Sequence, residues 1–150
     1  MPVEFKIYFD QPIPLETSNI KLLKGIAGLY FIFTKDLPIS YPFKPSRLLY
    51  IGMSEQKTMG IGKRLASHYD GAHNIGLKNY RRDRQLYFTT LNFGMIQRLW
   101  GLRVGNLESY FILDFVEKFG IFPICNNTTG SETFQEKRQA DFKIDWDYFN

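Results

Sequence analysis

Six side chains in this 150-residue chain could together hydrolyse a phosphodiester: Tyr30, Tyr50, Arg64, His68, Glu108 and Asn126. That reaction needs an attacking water, a group that takes its proton, and positive charge on the developing phosphorane. Arg64 offers a planar, always-charged fork that fits a phosphate. His68, four residues on, shares a helix face with it and could relay a proton or bond a phosphate oxygen. Glu108 could be the single protein ligand of Mg²⁺ or Mn²⁺, because Mg²⁺ commonly takes only one or two carboxylates. A tyrosine with its ordinary pKa near 10 is a poor base at neutral pH, so Arg64, Lys63 or the metal would have to assist. Each residue also has a plain structural reading: two core tyrosines, an exposed arginine beside a histidine, a carboxylate favoured by a helix dipole, and a turn asparagine.

These residues need elements to carry them. Residues 3–9 alternate partly and predict a strand, which Gln11, Pro12 and Pro14 should break. Residues 18–24 predict a short helix capped by Ser18 or Asn19 and ended by Gly25. Residues 26–34 and 47–52 are rich in β-branched, aliphatic and aromatic residues and predict an antiparallel pair, joined by a connection that Pro38, Pro42 and Pro45 keep irregular. Residues 63–69 predict a helix, 72–84 mainly a loop, and 85–93 a further strand. Asn106 is placed to cap a helix over about 107–119, whose apolar positions Phe111, Ile112, Phe115, Val116 and Phe119 follow helical spacing. Gly120 and Pro123 should end that helix, leaving Glu108 in its first turn. Trp146, Tyr148 and Phe149 imply that the tail folds back onto the body or onto a partner. This order predicts one α+β domain over residues 1–150, a small antiparallel β-sheet flanked by helices.

Read together, Gly28-Leu29-Tyr30, Tyr50-Ile51-Gly52, the Arg64/His68 pair, Glu108 and Asn126 resemble the GIY-YIG nuclease domain, over roughly residues 26–127. The resemblance implies that both tyrosines line an active site, with Tyr30 assisting water activation. Glu108 would then bind the metal, and Asn126 or its neighbour Asn127 would be the site asparagine. It also implies a metal-dependent endonuclease that leaves 5′-phosphate and 3′-hydroxyl ends, acting on double-stranded or structured DNA. The segment between the tyrosines and the helix after Glu108 are both longer than is usual in that family.

A concentrated positive field attracts polyanions, nucleic acid most commonly, although charge alone favours the plain reading of a solvated basic face. The whole chain carries +4, but residues 60–103 hold +6 while residues 104–150 hold −4. Lys78, Tyr80, Arg81, Arg82 and Arg84 form the densest basic cluster, suited to backbone phosphates with Tyr80 stacking on a base or sugar. A solvated basic loop is the ordinary alternative. Cys125 is the only cysteine, which rules out an internal disulfide and cysteine-based zinc sites and fits a reducing, cytoplasmic setting. No apolar run approaches a membrane span and the first residues lack a signal-peptide pattern, so no membrane partner is expected. One active centre cuts one strand per event, so double-strand cleavage would need sequential cuts or a homodimer. The rival expectations are a non-catalytic nucleic-acid-binding module of the same fold and a structural adaptor.

Overall fold

The computed structural model describes residues 3–20, 28–54, 85–92, 104–126 and 140–150. In chain order these hold strands β1 (Val3–Ile7) and β2 (Ile13–Pro14), a four-residue helix α1 (Thr17–Ile20), and strands β3 (Gly28–Thr34), β4 (Leu48–Ser54) and β5 (Leu86–Asn92). The long helix α2 (Val104–Phe119), strand β6 (Ala140–Ile144) and a terminal 3-10 helix (Trp146–Phe149) follow. The α+β class holds, with one long helix among the described residues. The expected helix over residues 63–69, with Lys63, Arg64 and His68, lies outside them, as do Lys78, Tyr80, Arg81, Arg82 and Arg84.

The main sheet is antiparallel, in the order β2-β5-β3-β4. The hairpin of β3 and β4 forms as the two apolar runs predict. β3 is the central strand, and all seven of its residues are buried. Its alternation therefore sorts two apolar sets rather than an apolar and a polar one. Leu29, Phe31 and Phe33 join a core with Phe111, Ile112, Phe115 and Phe119 of α2. Tyr30 and Ile32 face the other way, with Leu15, Leu49, Leu86, Phe88 and Cys125. The register slips between Ile32 and Phe33, which pair with Tyr50 and Leu48, so Leu49 is an extra residue in β4. Such a bulge lets Leu49 and Tyr50, adjacent in sequence, join the same core.

The tail belongs to the core rather than extending from it. Trp146 and Phe149 are buried, with Trp146 edge-on to Phe115 at 5.3 Å and Phe149 edge-on to Phe33 at 5.1 Å. Trp146 Nε1 donates to Asp114 Oδ2 at 2.7 Å, which gives the indole its required partner. Arg47 fastens the segment from the other side. Its guanidinium donates to the carbonyls of Thr34, Lys35, Tyr148 and Asn150 at 2.8–3.0 Å and lies over the Phe33 ring. Its own N–H donates to Phe149 O at 2.6 Å.

Several expectations are corrected. Ile13 and Pro14 were expected to lie in a break, but they form a short edge strand on β5, a position where proline's missing N–H is tolerated. β1 does not join the main sheet; it pairs in parallel with β6, a strand that the polar reading of the tail missed. α2 begins at Val104, so Asn106 lies inside the helix and Glu108 is past the first turn, where the helix dipole gives it less support. The end of α2 agrees: Gly120 takes φ +96°, and Phe43 N–H caps the Phe119 carbonyl at 3.0 Å.

The fork of Arg47, not its charge alone, should hold the tail, because four carbonyls at separate points need a planar multi-donor group. Arg47→Lys is expected to cost about 2 kcal/mol, and Arg47→Ala little more. Urea unfolding measures both, and a lysine variant as stable as wild type would show that a point charge suffices.

Candidate active site

Tyr30 and Tyr50 sit on neighbouring strands and share one face of the sheet. Their ring centroids are 6.0 Å apart, with planes inclined at 31°. Tyr30 pairs in register with Gly52, and its ring lies directly on that glycine. A Cβ at position 52 would collide with Cζ, Oη and Cε2 of Tyr30. The glycine two residues after Tyr50 is therefore a steric requirement of Tyr30, which gives the spacing of these residues a physical cause.

The two tyrosines differ in access. Tyr30 is 0% exposed, whereas Tyr50 is half-buried. Tyr30 therefore cannot meet bulk water as an activating group would; of the pair, Tyr50 is the one open to solvent.

Asn126 lies beside them with a defined task. Its Nδ2 donates to Ile51 O at 2.9 Å, and its Oδ1 accepts from Ile51 N at 3.0 Å. Both ends of the amide are thus engaged by the one residue between Tyr50 and Gly52. β4 is an edge strand, and this side chain supplies the bonds a further strand would have made. Cys125 N–H donates to Leu49 O at 2.9 Å. Tyr41 Oη donates to Leu48 O at 2.6 Å and accepts from Ile124 N–H at 3.0 Å. These contacts seal the outer edge of β4 and fix the backbone that carries Tyr50. Asn127 lies outside the described residues.

Glu108 is half-buried near the start of α2, three, four and seven residues before the buried Phe111, Ile112 and Phe115. Helical periodicity therefore sets it on the core-facing stripe, at the end of that stripe. α2 packs on the face of the sheet opposite the tyrosines, so Glu108 would have to approach them around a sheet end rather than across the sheet. As a hard oxygen donor it fits a Mg²⁺ ion that retains waters. Among the described residues, no three His, Cys, Asp or Glu side chains gather as a metal-holding group.

Cys125 is no nucleophile here. Burial pushes its thiol up to about 12, so it stays protonated at neutral pH. Sequence reasoning did not single out Tyr41 or Arg47. Tyr41 stands in a proline-rich connection without periodicity, and Arg47 reads as an ordinary strand-end cation. Only the folded positions of the carbonyls they meet reveal their roles.

The close fit of Tyr30 on Gly52 predicts a coupled pair. Gly52→Ala should cost about 2 kcal/mol by overpacking. Adding Tyr30→Ala to Gly52→Ala should cost less than the two single changes together, by about 1 kcal/mol or more in a denaturant double-mutant cycle. Strict additivity would mean that the ring and the glycine are not in contact.

Among known proteins, no family model matches the chain, and no curated protein or solved structure matches it. Among the described residues, no helix is long and apolar enough to cross a membrane.

Proposed function

We propose that the chain is a metal-dependent endonuclease of the GIY-YIG type, hydrolysing DNA to 5′-phosphate and 3′-hydroxyl ends. The observation that carries this reading is the convergence at one short stretch of β4. Tyr30 packs on Gly52, Tyr50 lies beside Tyr30, and Asn126 grips Ile51 between them. Five residue positions picked out by the resemblance thus act on one another. Paired aromatics on adjacent strands are common in cores, but a core pair needs neither a glycine under one ring nor an amide locking the residue that follows the other.

In this reading Tyr50, the accessible phenol, orders the attacking water, and Tyr30 holds Tyr50 in place from beneath. Arg64 would grip the scissile phosphate and stabilise the charge that builds on it. His68 would bond a phosphate oxygen or move a proton. Glu108 would hold Mg²⁺ or Mn²⁺, which supplies charge for the phosphorane and the leaving 3′ oxygen. Lys63, Lys78, Tyr80, Arg81, Arg82 and Arg84 would meet the flanking nucleic acid. The complete burial of Tyr30 favours a second reading, a non-catalytic nucleic-acid-binding module that retains the fold.

Cleavage separates the readings, and the salt dependence of binding tests the basic cluster. Supercoiled plasmid with Mg²⁺ or Mn²⁺ should be nicked by wild type, and Glu108→Ala and Arg64→Ala should each lower the rate at least about 100-fold. Binding without cleavage by wild type, with branched DNA and RNA also tried, favours the binding module. Neutralising Arg81 and Arg82 together should weaken DNA binding and flatten the slope of log K against log salt by about 2. An unchanged slope removes that cluster from the interface.

A further inference from the structure

β1 and β6 are near copies of one another. Val3-Glu4-Phe5-Lys6-Ile7 pairs in parallel, residue for residue, with Ala140-Asp141-Phe142-Lys143-Ile144. The register sets Glu4 level with Asp141 and Lys6 level with Lys143. The same pattern has a second symmetry. Read against itself in the opposite direction, it is self-complementary about its central phenylalanine: Val3 meets Ile7, and Glu4 meets Lys6. Parallel pairing inside the chain cannot use that complementarity, whereas antiparallel pairing of β1 with another β1 uses it in full.

The backbone presents β1 for such pairing. Asp145 N–H donates to Ile7 O at 3.0 Å, so the main chain of Ile7 faces β6. By the two-residue period of a strand, Phe5 faces β6 as well, and the N–H and C=O groups of Glu4 and Lys6 point to the outer edge. Among the described residues, no strand lies beyond β1. Lys6 is exposed, and Tyr8, just past the strand, is 67% exposed, a large aromatic left in solvent beside this edge.

We propose that the outer edge of β1 is a homodimer interface, at which β1 pairs antiparallel with β1 of a second copy about a two-fold axis at Phe5. In this register Phe5 and its counterpart form a non-hydrogen-bonded pair. Glu4 and Lys6 form two symmetric hydrogen-bonded pairs in which every acid faces a base. The interface is isologous, so this contact closes at two copies and uses up the outer edge of β1 in both. Main-chain bonds give the affinity and the charge pattern gives the direction, because a parallel approach would set acid beside acid. The proposal does not rest on nuclease activity. If that activity holds, the dimer brings two centres into one particle.

The test is the oligomeric state of the full chain by sedimentation velocity over a concentration series. Wild type should show a monomer–dimer equilibrium. Lys6→Glu sets acid opposite acid at both symmetric pairs and should raise the dimer dissociation constant about tenfold or more. Within one chain the same change sets opposite charges level at Lys143, so its thermal midpoint should not fall. This separates lost association from lost folding. The swapped pair Glu4→Lys/Lys6→Glu should restore dimerisation, and Lys6→Pro, which removes an outward N–H only, should weaken it. A wild type that stays monomeric throughout, or a dimer indifferent to both Lys6→Glu and Lys6→Pro, would overturn the proposal.

Discussion

A central strand with no exposed residue must be covered on both faces, and β3 imposes that condition on everything around it. Phe31 and Phe33 on one side demand a thick aromatic layer, which α2 alone does not complete. Phe9, Trp146 and Phe149 fill the remainder, with Phe9 edge-on to both Phe31 and Phe149 at under 5 Å. Residues far apart in sequence are therefore drawn to one strand by its need for apolar cover. Arg47 becomes indispensable at this point. Drawing the tail over the sheet brings a set of main-chain carbonyls together, and carbonyls left unbonded in a partly buried place are costly. One guanidinium answers two partly buried ones, on Thr34 and Tyr148, and two exposed ones, on Lys35 and Asn150.

The other face of β3 explains why the candidate site is built as it is. Tyr30 and Ile32 leave room for a large ring only where the neighbouring strand has no side chain, and Gly52 supplies that space. A glycine weakens a strand and loosens its edge. Here the edge is held by groups from outside the sheet: Tyr41, the main chain of Cys125, and the side chain of Asn126. The asparagine thus offsets the weakness that the glycine introduces. It acts on Tyr50 through one peptide unit, holding the backbone of Ile51 from both sides.

Much of this was legible in the sequence where a single element decided the outcome. The antiparallel β3–β4 hairpin, the strand β5 and the glycine end of α2 each followed from local pattern. The inward turn of the aromatic tail was one of two options its apolar content allowed. What escaped depended on tertiary pairing. β6 lies in a stretch too polar to read as core, and its reason for being a strand is the matching β1, some 130 residues away in the chain. Ile13 and Pro14 form a strand only because β5 offers an edge. The start of α2 was misplaced because Asn106 has the chemistry of a cap, yet a helix already under way accommodates it at a modest loss of propensity. For Tyr30, access was not readable in the sequence: its burial goes with the ring's fit on Gly52.

That burial constrains any chemistry assigned here. A phenol without exposure cannot exchange water with bulk solvent. Its fixed contact with Gly52 and its 6.0 Å approach to Tyr50 instead make it a rigid floor under the accessible tyrosine. Catalysis by preorganised groups depends on such floors, because a catalytic side chain displaced by about 1 Å loses much of its effect. The same rigidity would serve a binding module equally well, since a stacking platform also needs an aromatic held at a set angle. The two readings therefore part at Arg64 and Glu108. A platform needs positive charge along the nucleic-acid backbone and no carboxylate beside it. A hydrolase needs both charges at one phosphate, so replacing each in turn distinguishes the two.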